Sequence, residues 1–236
     1  VGSSFGDTLI GGASNDYLSA HAGNDTLEGG AGSDTINGGS GWDIARYTGS
    51  SEGVTVNLAT GENSGGDAQG DILIDIEAVV GSSFDDMLTG GTSNDYLSAH
   101  AGTDVLFGGD GDDYLSGGDG DDILYGDSGS DTLYGGAGAD GFIFESASAF
   151  TGSDEIRDFN IADSDVLDLA DLLVGYDPLS DAISDFVQIT DNGTDSYLAV
   201  DVDGGADNFV QIATVFGVTG LTDVAALESS GSLITE

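Results

Sequence analysis

Residues Gly108–Gly126 read GGDGDDYLSGGDGDDILYG. Six aspartates and seven glycines fall among these nineteen residues, and a leucine returns nine residues on, at Leu115 and then Leu124. Glycine at positions 1, 2 and 4 of each nine permits the positive φ angles of a tight turn. The three residues after the aspartate, x-Leu-x, make a short strand whose middle side chain points to one side and whose flanks point to the other. Two such units close one coil, so turns on the same edge recur every eighteen residues. The buried leucines would fill a thin slab between two layers of strand. The charge is the obstacle, because glycine-rich backbone carrying this much negative charge resists compaction on its own.

The period extends well beyond this stretch. Aspartates recur at Asp7, Asp16, Asp25, Asp34 and Asp43, and again at Asp86, Asp95, Asp104, Asp113, Asp122, Asp131 and Asp140. Two residues after most of them stands a large apolar residue: Leu9, Leu18, Leu27 and Ile36, then Leu88, Leu97, Leu106, Leu115, Leu124 and Leu133. Stacked turns bring aspartates and glycine-freed carbonyls together, an oxygen-only donor set that suits calcium and not zinc, which prefers nitrogen and sulfur. The repeat G-G-x-G-x-D-x-U-x, with U apolar, resembles that of the RTX (repeats-in-toxin) proteins of Gram-negative bacteria, whose nonapeptides bind calcium.

The twelve periodic aspartates are the candidate calcium ligands. Further donors, as turn carbonyls or extra acids, are Gly29, Ala31 and Ser33; Gly108, Asp110 and Asp112; Gly117, Asp119 and Asp121; and Gly135, Ala137 and Ala139. The extra acids are expected to make Gly108–Gly126 the tightest-binding part. Aspartates eighteen apart pair as 7/25, 16/34 and 25/43 in the first array, and as 86/104, 95/113, 104/122, 113/131 and 122/140 in the second. That predicts about eight calcium ions, fewer if the ends fray and more if flanking loops contribute.

Composition narrows the partners. The chain has 236 residues and a formal charge of −42, from 44 acidic residues against two arginines and no lysine. Nucleic acid and anionic membrane surfaces would be repelled. No cysteine is present, so neither a disulfide framework nor a thiol site exists. No apolar run approaches the roughly 18 residues that span a bilayer, so no membrane insertion is expected. The opening VGSSFGDTLIGG is unlike a signal peptide and begins within a repeat, so the chain reads as part of a longer protein.

VGSSFGDTLIGGASNDYLSAHAGNDTL at residue 1 returns as VGSSFDDMLTGGTSNDYLSAHAGTDVL at residue 80, an offset of 79. Ala20-His21 and Ala99-His100 replace the leading Gly-Gly in equivalent turns, which weakens the expectation of calcium there. Residues 45–80 break the nine-residue register. Val54–Leu58 and Ile72–Gly81 look like strands, and Asp67, Asp71 and Glu77 are either solvated loop acids or ligands of another ion. The fold class expected is all-β: two parallel β-roll arrays (1–46 and 81–143) joined by a β connector (47–80), then a mainly-β capping and secretion domain with a short helix (144–236).

Past Asp140 the repeats stop. The words DEIRDF, DVLDLADLL, DFVQITDNGTDSYLAVD and NFVQIATVFGVTGL resemble the C-terminal target domain of type I secreted giant RTX adhesins. That resemblance implies export by an ABC exporter of the type I secretion machinery, an uncleaved C-terminal signal, and an extracellular protein at the surface of a Gram-negative cell. The alternative is a non-catalytic RTX tail of a secreted hydrolase or toxin. The residues themselves suggest strands around Asn192-Gly193, a good turn pair, and a third near Phe209–Val215. Thr222 is expected to N-cap a short helix, with the final SGSLITE frayed. Asp201, Asp203 and Asp207 form either one more calcium loop or an acidic turn. The matches to hydrolase patterns at GSSFG, GSSEG and GDSGS lack the strand-to-helix setting that such chemistry needs, so no catalysis is expected. A monomer is expected.

Overall fold

The computed structural model describes residues 1–145, 148–173, 175–205 and 208–235. One long sheet of eleven strands runs the length of the molecule, in the order Thr8–Gly12, Thr26–Gly30, Ile44–Arg46, Ala78–Val80, Tyr96–Ala101, Tyr114–Asp119, Thr132–Ala137, Asp154–Ile156, Val210–Val215, Ser196–Val200 and Val187–Asp191. The other layer is broken in two. Three strands, Tyr17–Ser19, Thr35–Asn37 and Ile72–Ile74, form one sheet. Seven strands form the other: Thr55–Asn57, Met87–Thr89, Val105–Phe107, Ile123–Tyr125, Gly141–Ile143, Val166–Asp168 and Leu233–Ile234. Among the described strands every pairing is parallel except those of the last two strands of the long sheet, and one antiparallel bridge joins Thr55 to Ser64. The architecture is an all-β parallel roll with one short helix.

The eighteen-residue coil is explicit in the register. Thr8 pairs with Thr26, Leu97 with Leu115, and Leu106 with Leu124. The apolar residue of each repeat is buried, fully so from Leu88 to Leu124. Burying one leucine contributes roughly 1.5–3 kcal/mol, so the stacked row is the main apolar contribution of the roll. On the long sheet the strands run further than x-U-x, to six residues in Tyr114–Asp119 and Thr132–Ala137. The ladder continues through His100, Gly118 and Gly136 into the turn, and at Gly118 and Gly136 a Cβ would run into the carbonyl of the preceding coil.

The connector does more than separate two rolls. Thr55–Asn57 starts the seven-stranded sheet by pairing with Met87–Thr89, whereas Ile72–Ile74 closes the three-stranded sheet against Thr35–Asn37. Ala78–Val80 then bridges Ile44–Arg46 and Tyr96–Ala101, so both arrays share the long sheet. Tyr47, the largest fully buried side chain, fills the junction, and its hydroxyl donates to Asp71 Oδ2 at 3.1 Å.

The C-terminal region continues the roll. Asp154–Ile156 pairs with Thr132–Ala137, and Val166–Asp168 with Gly141–Ile143. The helix Val224–Ser230 is capped by Asp223, whose side chain accepts from the Ala226 N–H, one residue after the expected Thr222. The tail is not frayed: Leu233–Ile234 adds a parallel strand beside Val166–Asp168, and Leu233 is buried. Among the described residues no helix is long and apolar enough to cross a membrane.

Candidate metal centre

The periodic aspartates form a ladder along both edges of the roll. Where a repeat turn follows one coil later, the aspartate N–H donates to the Oδ1 of its aspartate: Asp7 to Asp25 (2.7 Å), Asp86 to Asp104 (2.7 Å), Asp95 to Asp113 (2.7 Å), Asp104 to Asp122 (2.9 Å) and Asp113 to Asp131 (2.8 Å). The same bond joins Asp16 to Asp34, Asp25 to Asp43 and Asp122 to Asp140. One carboxylate oxygen of the later aspartate in each pair therefore holds backbone to backbone.

The second oxygen distinguishes a metal centre from a hydrogen-bonded ladder. Among the described residues, Oδ2 of Asp25, Asp34, Asp43, Asp104, Asp113, Asp122, Asp131 and Asp140 is buried with no hydrogen-bond partner. A buried charge without a partner is strongly unfavourable. Each of these aspartates is the later member of one of the pairs drawn above from the eighteen-residue spacing.

The turns also leave room beside these oxygens. A Cβ added to Gly108 would sit 2.6 Å from Asp113 Oδ2 and against the Gly126 carbonyl of the next coil. A Cβ on Gly117 would meet the Gly135 carbonyl at 2.7 Å and the Asp122 carboxylate. The first glycine of the repeat thus keeps open a cradle lined by one carboxylate and one carbonyl. The second and fourth glycines supply the bend, with φ of 100° and 131° at Gly109 and Gly111. Among the described residues no cluster of three or more His, Cys, Asp or Glu side chains converges, so backbone carbonyls must complete any coordination shell. Carboxylate plus carbonyl oxygen is the donor set of calcium. The residues present fit that ion, and it would neutralise the buried charge that nothing else here neutralises.

Electrostatics point the same way. Burial pushes Asp104 and Asp140 up to about 6, and Asp113 and Asp122 up to about 7. Burial, with the Asp154 carboxylate alongside, pushes Asp131 to about 8. Asp34 and Asp43 are raised by the same cause. Without a cation, these groups hold their protons to higher pH than a free aspartate does.

The additional candidates divide by position. The carbonyls of Gly29, Gly108 and Gly135 face the cradles at Gly11, Gly90 and Gly117 of the preceding coil. The side chains of Asp110, Asp112, Asp119 and Asp121 are exposed and do not join the buried row. Two of them make an outer ladder, with the Ser130 N–H donating to Asp112 and the Ala139 N–H to Asp121. Ser33 and Asp112 in turn donate their N–H groups to Asn15 and Asn94 one coil earlier. Ala31, Asp119 and Ala137 continue the long-sheet ladder: the Ala31 N–H donates to the Gly12 carbonyl, and Asp119 pairs with Ala137. Asp7, Asp86 and Asp95 differ from the eight, because their Oδ2 accepts the N–H of Ser3, Ser82 and Gly91 within their own turns. Asp16 is half-buried. Asp201 and Asp203 accept N–H groups of their own loop, from Asp203 and Gly205, and Asp207 lies outside the described residues.

Several ladder members were not legible in the sequence as such. Asp34 donates to Asp71 Oδ1 and Asp43 to Glu77 Oε2, each at 2.8 Å. Asp131 donates to Asp154 and Asp140 to Asp165. Asp158 accepts from both Gly135 and Gly136. These acids hand the ladder from the repeats to the connector and the C-terminal region, at spacings off the nine-residue period.

The class is thus a parallel β-roll with stacked turns built for hard cations. The model of the RTX calcium-binding nonapeptide repeat (4 copies) matches residues 1–36, 19–46, 80–115 and 107–142, so the chain carries RTX calcium-binding repeats over both arrays. Among solved structures, the extracellular lipase LipA from Serratia marcescens is similar at 23% identity with a TM-score of 0.46, covering 100% of this chain and 39% of the lipase. The AlgE6R2 subunit of the Azotobacter vinelandii mannuronan C5-epimerase is similar at 28% identity with a TM-score of 0.31, covering 67% of this chain and 92% of that one. This chain spans 39% of the lipase's length. A search of curated protein sequences finds no match.

Proposed function

We propose that the chain is a calcium-triggered folding and type I secretion module at the C-terminal end of a large extracellular RTX adhesin, without catalytic activity of its own. The observation that carries this reading is the row of buried carboxylate oxygens that lack any donor. Extracellular calcium modules bind at about 10⁻⁴–10⁻³ M, so cytosolic calcium leaves such sites empty. The polyanion then stays extended and can thread an ABC exporter. Outside the cell, at free calcium tenfold above the dissociation constant, each site contributes about 1.4 kcal/mol. About eight sites supply on the order of 11 kcal/mol, comparable to the stability of a whole domain. Eight divalent ions also offset about 16 of the 42 net negative charges.

The C-terminal region suits an exported end that folds first outside the cell. Its strands Asp154–Ile156 and Val166–Asp168 give the last coils of the roll a ready edge to pair with. The adhesin parentage, preferred over a hydrolase or toxin tail, rests on the likeness of DEIRDF and the three longer words to adhesin target domains.

Two measurements test the proposal. Far-UV circular dichroism should show β signal appearing cooperatively as calcium is titrated into chelated protein at pH 8. Native-like signal in excess chelator would overturn the folding half. Residues 144–236 fused to a reporter should be exported by a type I system, and retention of the fusion in the cell would overturn the secretion half.

A further inference from the structure

We propose that the connector completes a calcium site that the nonapeptide pattern leaves open at Asp43, formed by Asp43 Oδ2, the Asp75 backbone carbonyl and the Glu77 carboxylate. The inference rests on reading the repeat turns as calcium sites and extends that reading to Asp75 and Glu77, which no repeat contains. In the repeat turns the cradle has three marks: a first-position glycine, the carboxylate oxygen of the same turn, and a carbonyl from the next coil. All three recur at Gly38. A Cβ there would lie 2.5 Å from Asp43 Oδ2 and against the Asp75 carbonyl. Asp43 is fully buried, and its Oδ2 has no partner.

No repeat turn follows Asp43 in sequence, and the connector takes the place of one. The Asp43 N–H donates to Glu77 Oε2 at 2.8 Å, where a repeat would offer the next aspartate's Oδ1. Asp75 has a φ of 52°, left-handed backbone that a non-glycine residue rarely adopts, in the short turn whose carbonyl faces the Gly38 cradle. At the parallel junction Asp34 Oδ2 is also buried without a partner, and the connector meets that turn differently. There Asp71 Oδ1 accepts the Asp34 N–H and Asp71 Oδ2 accepts the Tyr47 hydroxyl, so both oxygens are engaged. A Cβ on Gly29 would meet only Asp34 atoms among its nearest neighbours, with no connector carbonyl. The connector therefore meets the Asp34 turn with a carboxylate held by Tyr47, and the Asp43 turn with the Asp75 carbonyl and the Glu77 carboxylate.

The test counts ions on the full chain. Native mass spectrometry at saturating calcium should show Glu77→Gln binding one ion fewer than the unaltered chain. Glu77→Gln keeps an oxygen to accept the Asp43 N–H and removes the charge. Asp75→Asn, which keeps the carbonyl and tolerates left-handed backbone, should bind the full number. Equal counts for the unaltered chain and Glu77→Gln overturn this inference and leave the repeat sites standing; no calcium on the unaltered chain overturns the repeat reading itself. Should Glu77→Gln fail to fold, the unaltered chain decides. A crystal grown in calcium should show an anomalous peak about 2.4 Å from both Asp43 Oδ2 and the Asp75 carbonyl. Peaks at the repeat turns with none at Gly38 would overturn the proposal.

Discussion

Residues 1–27 and 80–106 are near-copies, yet their equivalent strands lie on opposite faces of the roll. In the first copy Thr8–Gly12 belongs to the long sheet and Tyr17–Ser19 to a short one. In the second, Met87–Thr89 belongs to a short sheet and Tyr96–Ala101 to the long one. The nonapeptide therefore does not encode a side. The side is set by the two extra strands of the connector, Thr55–Asn57 and Ile72–Ile74, which both join the short-sheet layer and so shift the alternation by one step. The copies differ also in burial: Leu18 keeps 7% of its surface exposed and Leu97 none, and Tyr17 is 65% exposed where Tyr96 is half-buried and stacked on Tyr114 at 4.8 Å. Neighbouring coils, rather than the repeat's own residues, decide what a turn is worth.

The largest effect expected from that contrast is in the core. Leu97→Ala should destabilise the calcium-loaded protein by about 4 kcal/mol and Leu18→Ala by about 2 kcal/mol, measured by denaturant unfolding in saturating calcium. Equal losses would mean that coil stacking does not set the energetics.

Next come the ladder aspartates. Asp113→Ala removes one ion ligand and leaves the buried Asp95 N–H without its acceptor, a loss of about 3 kcal/mol in calcium. Asp16→Ala, in the half-buried first copy, should lose about 1 kcal/mol. A larger loss at Asp16 in the same unfolding assay would contradict the comparison.

Acidity should partly replace calcium. Asp113 and Asp122 stand at about 7 in the folded chain against 3.8 as free side chains. Their raised values mean that the folded state holds protons the unfolded state would release. That stabilisation is fully present below about pH 4 and is lost as pH rises through about 7. In chelator, the β signal should therefore be stronger at pH 5 than at pH 8. With calcium the order reverses, because protons compete for the same oxygens. Chelated protein equally unfolded at both values would contradict the assignment of the raised groups.

The smallest effect tests what the copies share. His21 and His100 hold φ of 78° and 81° at the second turn position, where most other turns use glycine. His21→Gly and His100→Gly should each stabilise by about 0.5–1 kcal/mol, and by the same amount on the two faces. Thermal melts in calcium of the two variants check this, and unequal gains would show that the edge, not the backbone angle, sets the strain.

The repeats were legible because their geometry is periodic. Glycine positions, the buried leucine and the eighteen-residue pairing of aspartates all follow from the local sequence, and the row of unpartnered oxygens falls on the later member of each pair. What lay outside the period was harder to read. Asp71, Glu77, Asp154 and Asp165 complete the ladder at separations of 37, 34, 23 and 25 residues from their partners, so no window of sequence marks them as equivalent to repeat aspartates. The same holds for Leu233–Ile234. Its flanks are polar and short, and it becomes a strand only because Val166–Asp168 offers an open edge. The swap of faces is invisible in the duplicate because its cause lies in the connector.

Small-angle X-ray scattering of the full chain at pH 8, in millimolar calcium and in excess chelator, addresses the central claim most directly. If ions hold the turns together, the radius of gyration should rise from about 20 Å with calcium to about 50 Å without it, the value of an unfolded chain of this length. A compact particle of unchanged dimensions in chelator would show that the buried carboxylates do not need calcium, and the account would fail.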